Sequence, residues 1–199
     1  MTLDPIPRLV LASTSPYRRA LLARLRIPFD AVDPATPENL LPEEAPDARA
    51  LRLAAEKAAA ITIRDALVIG SDQVACLGQE ILRKPGTPVV AAEQLRQCSG
   101  KSVSFWTAVA LCDTQSGAVM RRLTTSKVTF RDLSDREIEQ YVRLDQPFDC
   151  AGSFKWESLG ITLFSAIDSD DPTSLEGLPL IALCDLLRER GLALPLLSQ

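Results

Sequence analysis

Leu9-Val10-Leu11-Ala12 is apolar on both faces of an extended chain and predicts a short buried strand. The pattern then turns polar at Ser13-Thr14-Ser15 and changes period. From Pro16 to Arg26 the apolar residues Leu21, Leu22 and Leu25 recur at helical spacing, with charges opposite, until Pro28 ends the run. Asp33 to Pro46 holds four prolines and four acidic residues without periodicity and reads as a long loop. Asp47 to Ile63 is rich in alanine and leucine and predicts a strong helix capped by Asp47. Ala66 to Cys76 is the clearest buried strand, interrupted at its centre by Gly70-Ser71-Asp72-Gln73.

The second half continues the alternation. Gly78 turns the chain into a short return strand at 79–82, and residues 88–98 predict a helix ended by Ser99-Gly100. Strands near 101–113 and 118–130 are joined through Gln115-Ser116-Gly117 as a hairpin. Ser134 followed by Glu137 is a capping-box pattern that starts a helix over 134–143. A strand over 161–167 and a helix over 179–190 follow. Helices alternating with strands around an antiparallel hairpin predict an α/β fold with a mixed sheet, organised as one domain over residues 1–199.

Composition then narrows the chemistry. The chain of 199 residues is 46% hydrophobic, enough for a full core, and contains no histidine. That excludes Ser-His and Cys-His nucleophilic pairs and imidazole-based zinc sites, and leaves carboxylates, lysines, cysteines or metal-bound water for proton transfer. The net charge of −4, with a pI near 5.0, disfavours binding to nucleic acid or to anionic membranes. The five cysteines, Cys76, Cys98, Cys112, Cys150 and Cys184, lack C-x-x-C spacing and read as reduced, mostly buried side chains. Met1 to Pro5 carries no basic targeting pattern, and no apolar run is long enough to span a membrane, so a cytoplasmic protein is expected.

Two features carry candidate chemistry. Pro16 suits the first turn of a helix, which puts Ser15 near its cap and turns free backbone N–H groups toward Ser13-Thr14-Ser15. A phosphate could rest there under Arg18 or Arg19, although a capped surface helix with solvated arginines accounts for the same residues. Asp72 interrupts a core strand, and a carboxylate buried alone costs several kcal/mol. It faces a cleft, a cation or a metal, or else accepts backbone bonds in a bulge allowed by Gly70. With Lys57 and Lys84 on neighbouring elements, these residues describe a site for a polyphosphate and a hard divalent cation, and hydrolytic phosphoryl transfer as its chemistry, while Glu38 in the acidic loop carries little weight by itself. A nucleotide-binding module without catalysis would have no use for Asp72.

Ser13-x-Ser15-Pro16-x-Arg18-Arg19, Glu56-Lys57-Ala58, Gly70-Ser71-Asp72, Lys84-Pro85, Ser99-Gly100-Lys101 and Gly177-Leu178-Pro179 occur in an order and spacing that resembles the Maf family of nucleoside triphosphate pyrophosphatases, from Leu9 to Gly191. Tyr17, Ser71-Asp72-Gln73 and the run Cys150-Ala151-Gly152-Ser153-Phe154-Lys155 with Glu157 resemble its YceF-type subgroup, which acts on 7-methyl-GTP. Members acting on dTTP and UTP tend to carry Arg, Thr and Gln where this chain has Tyr17, Gln73 and Glu157. Trp156 departs from the pattern, which has a small residue there. The resemblance implies a twisted mixed sheet flanked by helices, with two lobes around a nucleotide cleft and an ITPase-like architecture. It implies Asp72 as proton acceptor, and Asp72 with Glu38 as ligands of magnesium, manganese or cobalt. Ser13, Arg18, Lys57 and Lys84 would bind phosphate, while Tyr17, Gln73 and Glu157 would read the base. Tyr17 would favour a cationic base by cation–π attraction, and Glu157 would accept from the guanine N1–H and amine. A nucleoside triphosphate is the expected partner, and a homodimer is compatible with the chain. A broader nucleotide specificity and a non-catalytic regulator are the competing functions.

Overall fold

Leu67 to Ile69 can be apolar on both faces because strands flank both edges there and helices cover both sides. In the computed structural model, which describes residues 7–192 and 194–195, β3 (Ala66–Leu77) lies at the centre of a seven-stranded mixed sheet. β1 (Arg8–Ala12) pairs parallel to it and β5 (Ser102–Asp113) antiparallel. β2 (Phe29–Val32) extends the sheet beyond β1, β6 (Val119–Phe130) and β7 (Phe164–Ser169) extend it beyond β5, and β4 (Glu80–Leu82) returns along the end of β3. The helices are α1 (Pro16–Ala23), α2 (Pro46–Ala59), α3 (Pro88–Cys98), α4 (Asp135–Asp145) and α5 (Leu180–Glu189), with 3₁₀ turns at Leu159–Leu163 and Pro172–Glu176.

Strand alternation divides the core. Leu9, Leu11, Leu67, Ile69, Val109 and Leu111 pack with the leucines of α1 and α5 on one face. Val10, Ala12, Val68, Ala108 and Ala110 meet Ala50, Ala54 and Ala58 of α2 on the other. The small side chains on this second face let α2 lie close against the sheet. A third cluster joins α3 and α4 to the far ends of β5 and β6 through Phe105, Phe130, Ile138 and Tyr141, and forms the second lobe.

The strand pairing also leaves a gap. β1 pairs with β3 only as far as Leu11 opposite Ile69, and β4 starts to pair at Ala75. Gly70 to Val74 therefore have β5 on one edge and no ladder partner on the other among the described residues. The crevice beyond the carboxyl end of a parallel strand is where open α/β sheets place ligands.

Several expectations need correction. The first helix stops at Ala23, earlier than Arg26, which has a positive φ of 55°. Pro46 takes the first helical position of α2, so Asp47 lies inside the first turn and the N-cap is Ala45, without a side-chain bond; α2 also stops at Ala59, short of Ile63. The strand expected over 161–167 starts at Phe164, because a tight turn with Gly160 N–H bonded to Lys155 O holds Leu159–Leu163 in a 3₁₀ turn. β2 was hidden by its length of four residues and its half-exposed edge position. Cys150 and Cys184 are half-buried, while Cys76, Cys98 and Cys112 are buried, and all five are free thiols. Among the described residues no helix is long and apolar enough to cross a membrane; the targeting expectation for Met1 to Pro5 lies outside them.

The capping box is formed in full. The Glu137 carboxylate accepts from Ser134 N–H at 2.9 Å and from its hydroxyl at 2.7 Å, and Ser134 Oγ accepts from Glu137 N–H at 3.3 Å. The Ser134 bonds, with help from Arg131, pull the Glu137 carboxyl from 4.5 to about 2. Ser134→Ala should cost roughly 1 kcal/mol in a urea titration. A depressed carboxyl stabilises the fold above its unfolded value, so the gap between wild type and variant should narrow as pH falls from 4.5 toward about 2.

Candidate active site

Side chains of β3 alternate across the gap. Gly70, Asp72 and Val74 face α2, while Ser71 and Gln73 face the Pro172–Glu176 turn. Asp72 is only 6% exposed, and so is Lys57, one turn from the end of α2. Lys57 Nζ donates to Asp72 Oδ1 at 2.6 Å and to Glu38 Oε1 at 2.5 Å. The loop 33–45 thus delivers Glu38 to the same ammonium that neutralises Asp72. The alternative of a backbone-bonded bulge at Gly70 does not hold. The glycine is needed for a different reason, since a Cβ there would stand 2.1 Å from Ala54 O.

The two carboxyls are pushed apart. Burial drives Asp72 above its ordinary value despite Lys57 and Arg18, and the negative charge of Glu38 adds to that rise. For Glu38 burial also pushes upward, but the Lys57 hydrogen bond, with the charges of Lys57, Lys84 and Arg18, carries it below its ordinary value. Two carboxyls separated in this way suit different roles, with the higher one the better proton acceptor.

α1 supplies the next wall. Ser15 is the N-cap, its hydroxyl accepting from Arg18 N–H at 3.4 Å, and buried Ser13 Oγ accepts from Ser15 N–H at 3.1 Å. The cap and the turn expected to take an anion are one object: Ser13, Ser15, Arg18, Glu38, Lys57 and Lys84 line a recess of about 310 Å³ at the helix N-terminus. Arg18 turns into it, and Arg19 points to solvent. Arg18 Nε donates to Gly177 O at 2.8 Å, and its other guanidinium donors have no partner among the described residues.

A larger cavity of about 400 Å³ opens from the same residues and reaches Tyr17, Gln73, Asp149, Glu157 and Glu176. Gln73 Nε2 is committed to Ser174 O at 2.7 Å and Thr107 Oγ1 at 3.1 Å, so its free atom is the carbonyl oxygen. Tyr17 donates to Asp149 Oδ1 at 3.3 Å, and its ring centre lies 6.0 Å from Lys155 Nζ. The cation beside that ring is thus a lysine of the protein. Burial raises the carboxyls of Glu157 and Glu176, and each feels the other or neighbouring acids. Asp149 and Glu176 were missed by sequence reasoning; their positions, beside Cys150 and before Gly177, carry no signal until the lobes meet. Trp156 packs into the second-lobe core and lies outside the cavity lining.

Among the described residues no three carboxylate, thiol or imidazole groups converge as a metal cage. Two carboxylates meeting at one ammonium nevertheless match what magnesium needs, because that ion keeps several waters and takes one or two protein carboxylates with substrate phosphates.

The α/β sheet is thus open at a cleft where cationic groups surround a buried carboxylate of raised basicity. The chain belongs to the Maf family: the model described as "Maf-like protein" matches residues 8–190. A protein of Aromatoleum aromaticum named 7-methyl-GTP pyrophosphatase is 53% identical over 190 residues, covering 94% of this chain and 98% of its own. One of the same name from Xanthomonas campestris pv. campestris is 52% identical over 192 residues, covering 96% and 100%. Among solved structures, a HAM1 protein from Coxiella burnetii shares the fold with a TM-score of 0.52 at 13% identity, over 92% of this chain and all of its own.

Proposed function

We propose that this protein is a nucleoside triphosphate pyrophosphatase that converts 7-methyl-GTP to 7-methyl-GMP and pyrophosphate. The observation that carries the reading is the Glu38–Lys57–Asp72 cluster at the junction of an anion recess and a base-sized cavity, in a chain about half identical, over nearly full length, to proteins named for that reaction.

The triphosphate lies in the recess under Arg18, Lys57 and Lys84, with the Ser13 hydroxyl beside it. Lys57 spends two of its three donors on carboxylates and keeps one for a phosphate oxygen. Asp72 takes the proton of a water that attacks the α-phosphorus; the new P–O bond forms as the bridge to the β-phosphate breaks, and pyrophosphate leaves. Glu38 and Asp72 would hold a divalent cation, which supplies charge neutralisation on the phosphate oxygens. Magnesium, manganese and cobalt all suit this donor set.

The base occupies the larger cavity. Glu157 has two acceptor oxygens for N1–H and the exocyclic amine of guanine, and the Gln73 carbonyl is a further acceptor. Methylation at N7 makes the base cationic, and Asp149, Glu157 and Glu176 give it an acidic wall. Since Lys155 already stands beside the Tyr17 ring, selection of the cation falls to these carboxylates more than to cation–π attraction.

A panel of 7-methyl-GTP, GTP, dTTP and UTP, each with magnesium, manganese and cobalt, tests the assignment by pyrophosphate release. The expected result is preferential turnover of 7-methyl-GTP; equal or better turnover of dTTP and UTP, or binding without turnover, would refute it. In Glu157→Gln, kcat/KM for 7-methyl-GTP should fall roughly 10- to 100-fold, the worth of hydrogen bonds to a charged acceptor, with no comparable loss for UTP.

A further inference from the structure

Residues 33–45 carry Glu38 across the mouth of the cleft without regular secondary structure. Packing does not hold the segment there, since Leu40 and Leu41 are both about half exposed. Besides the Lys57 ammonium on Glu38, what reaches it from outside is guanidinium. Arg49 of α2 donates to Glu38 O and Asn39 O, both at 3.0 Å. Arg52, one turn on, donates to Asn39 O at 3.1 Å and grips both oxygens of Glu44 at 2.5 and 2.6 Å. Its remaining nitrogen pairs with Glu56 at 3.1 Å, so Arg52 is itself braced on the helix. The Glu44 side chain is only 10% exposed, and a bidentate guanidinium–carboxylate pair is the stronger, more directional form of this contact.

We propose that Arg49 and Arg52 are positioning residues: they strap the 38–44 segment to α2 so that the Glu38 carboxylate meets Asp72 and Lys57, and they thereby set the affinity of the site for its divalent cation. This rests on the reading of Glu38 as a cation ligand. One helix then carries both halves of the arrangement. Lys57 faces the two carboxylates, and Arg49 and Arg52 fix the backbone that brings one of them. The Arg52 hydrogen bonds also hold the Glu44 carboxyl below its ordinary value, so the strap stays charged through the neutral range. Partners that orient a metal ligand typically change metal affinity or activity 10- to 100-fold when removed.

The test uses Arg52→Gln, Glu44→Gln, their combination, and Glu38→Gln as the marker for the ligand itself. Pyrophosphate release is titrated with magnesium at saturating nucleotide, manganese binding is measured by electron paramagnetic resonance without nucleotide, and thermolysin cleavage at Asn39–Leu40 reports on the segment. Arg52→Gln and Glu44→Gln should each raise the half-saturating magnesium concentration about tenfold. They should weaken manganese binding in parallel and speed cleavage, with kcat recovered at high magnesium. The combination should fall short of the sum of the two, since both remove the Arg52–Glu44 pair while Arg52→Gln also gives up the bond to Asn39 O. A magnesium shift in Glu38→Gln without one in Arg52→Gln or Glu44→Gln would overturn the positioning role alone. Unchanged magnesium dependence in Glu38→Gln would overturn the ligand reading, and the proposal with it. A loss of kcat that magnesium does not restore in both strap variants would also overturn it.

Discussion

Asp72→Asn should lower pyrophosphate release by roughly 10²- to 10⁴-fold, the range for loss of a positioned general base, while the protein stays folded. The substituted amide keeps an oxygen of the same size to accept from Lys57, so the buried ammonium retains that partner together with Glu38, but an amide cannot take a proton from water. The wild-type profile should have an acidic limb, because burial raises the Asp72 carboxyl and only its ionised form accepts the proton. Activity therefore falls as pH drops through that raised value, and the limb should vanish in the variant. Initial rates across pH, with a thermal melt of both proteins, check this. Retention of most of the activity by a folded variant would make Asp72 a counter-ion for Lys57 and nothing more.

Gly70→Ala should be the most damaging single methyl group in the sheet. Its Cβ would stand 2.1 Å from Ala54 O and 2.6 Å from Ala58 N, both backbone atoms of α2 that no side-chain rotation can move. Either α2 lifts from the sheet or β3 bends, at a cost at or beyond the roughly 3 kcal/mol upper end of overpacking. Because α2 carries Lys57, whatever folded protein remains should also lose activity. Gly78→Ala is the contrast: its φ of 62° is strained for alanine but nothing lies within 4 Å, so about 1 to 2 kcal/mol is expected. Thermal or urea denaturation of the two variants separates the effects, and equal stabilities would refute the close contact between α2 and β3.

The parts of the fold legible in sequence were those with local causes. The hairpin turn joining β5 and β6, the capping box of α4 and the Ser15 cap each depend on residues a few positions apart. β2 and the Pro172–Glu176 turn depend on what they pack against, and their short segments carry no period. The site divides in the same way. Asp72 announced itself as a charge in an apolar strand, whereas Lys57 and Glu38 gained their roles from the motif resemblance and their meaning from sharing one nitrogen in space. Arg49 and Arg52 look in sequence like two charges on an ordinary helix, because their acceptors are loop carbonyls and a glutamate that only the folded chain brings near.

One carbonyl links the two halves of the cleft. Gly177, at a φ of 92°, offers its oxygen both to Arg18 Nε and to Ser71 Oγ, each at 2.8 Å, directly after Glu176 in the base cavity. In the binding mode proposed above, a base that displaces Glu176 would disturb the residue next to the anchor of Arg18. Mismatched nucleotides should then be penalised in turnover as well as in occupancy. Such discrimination acts on the bound complex and so persists when a nucleotide saturates the site.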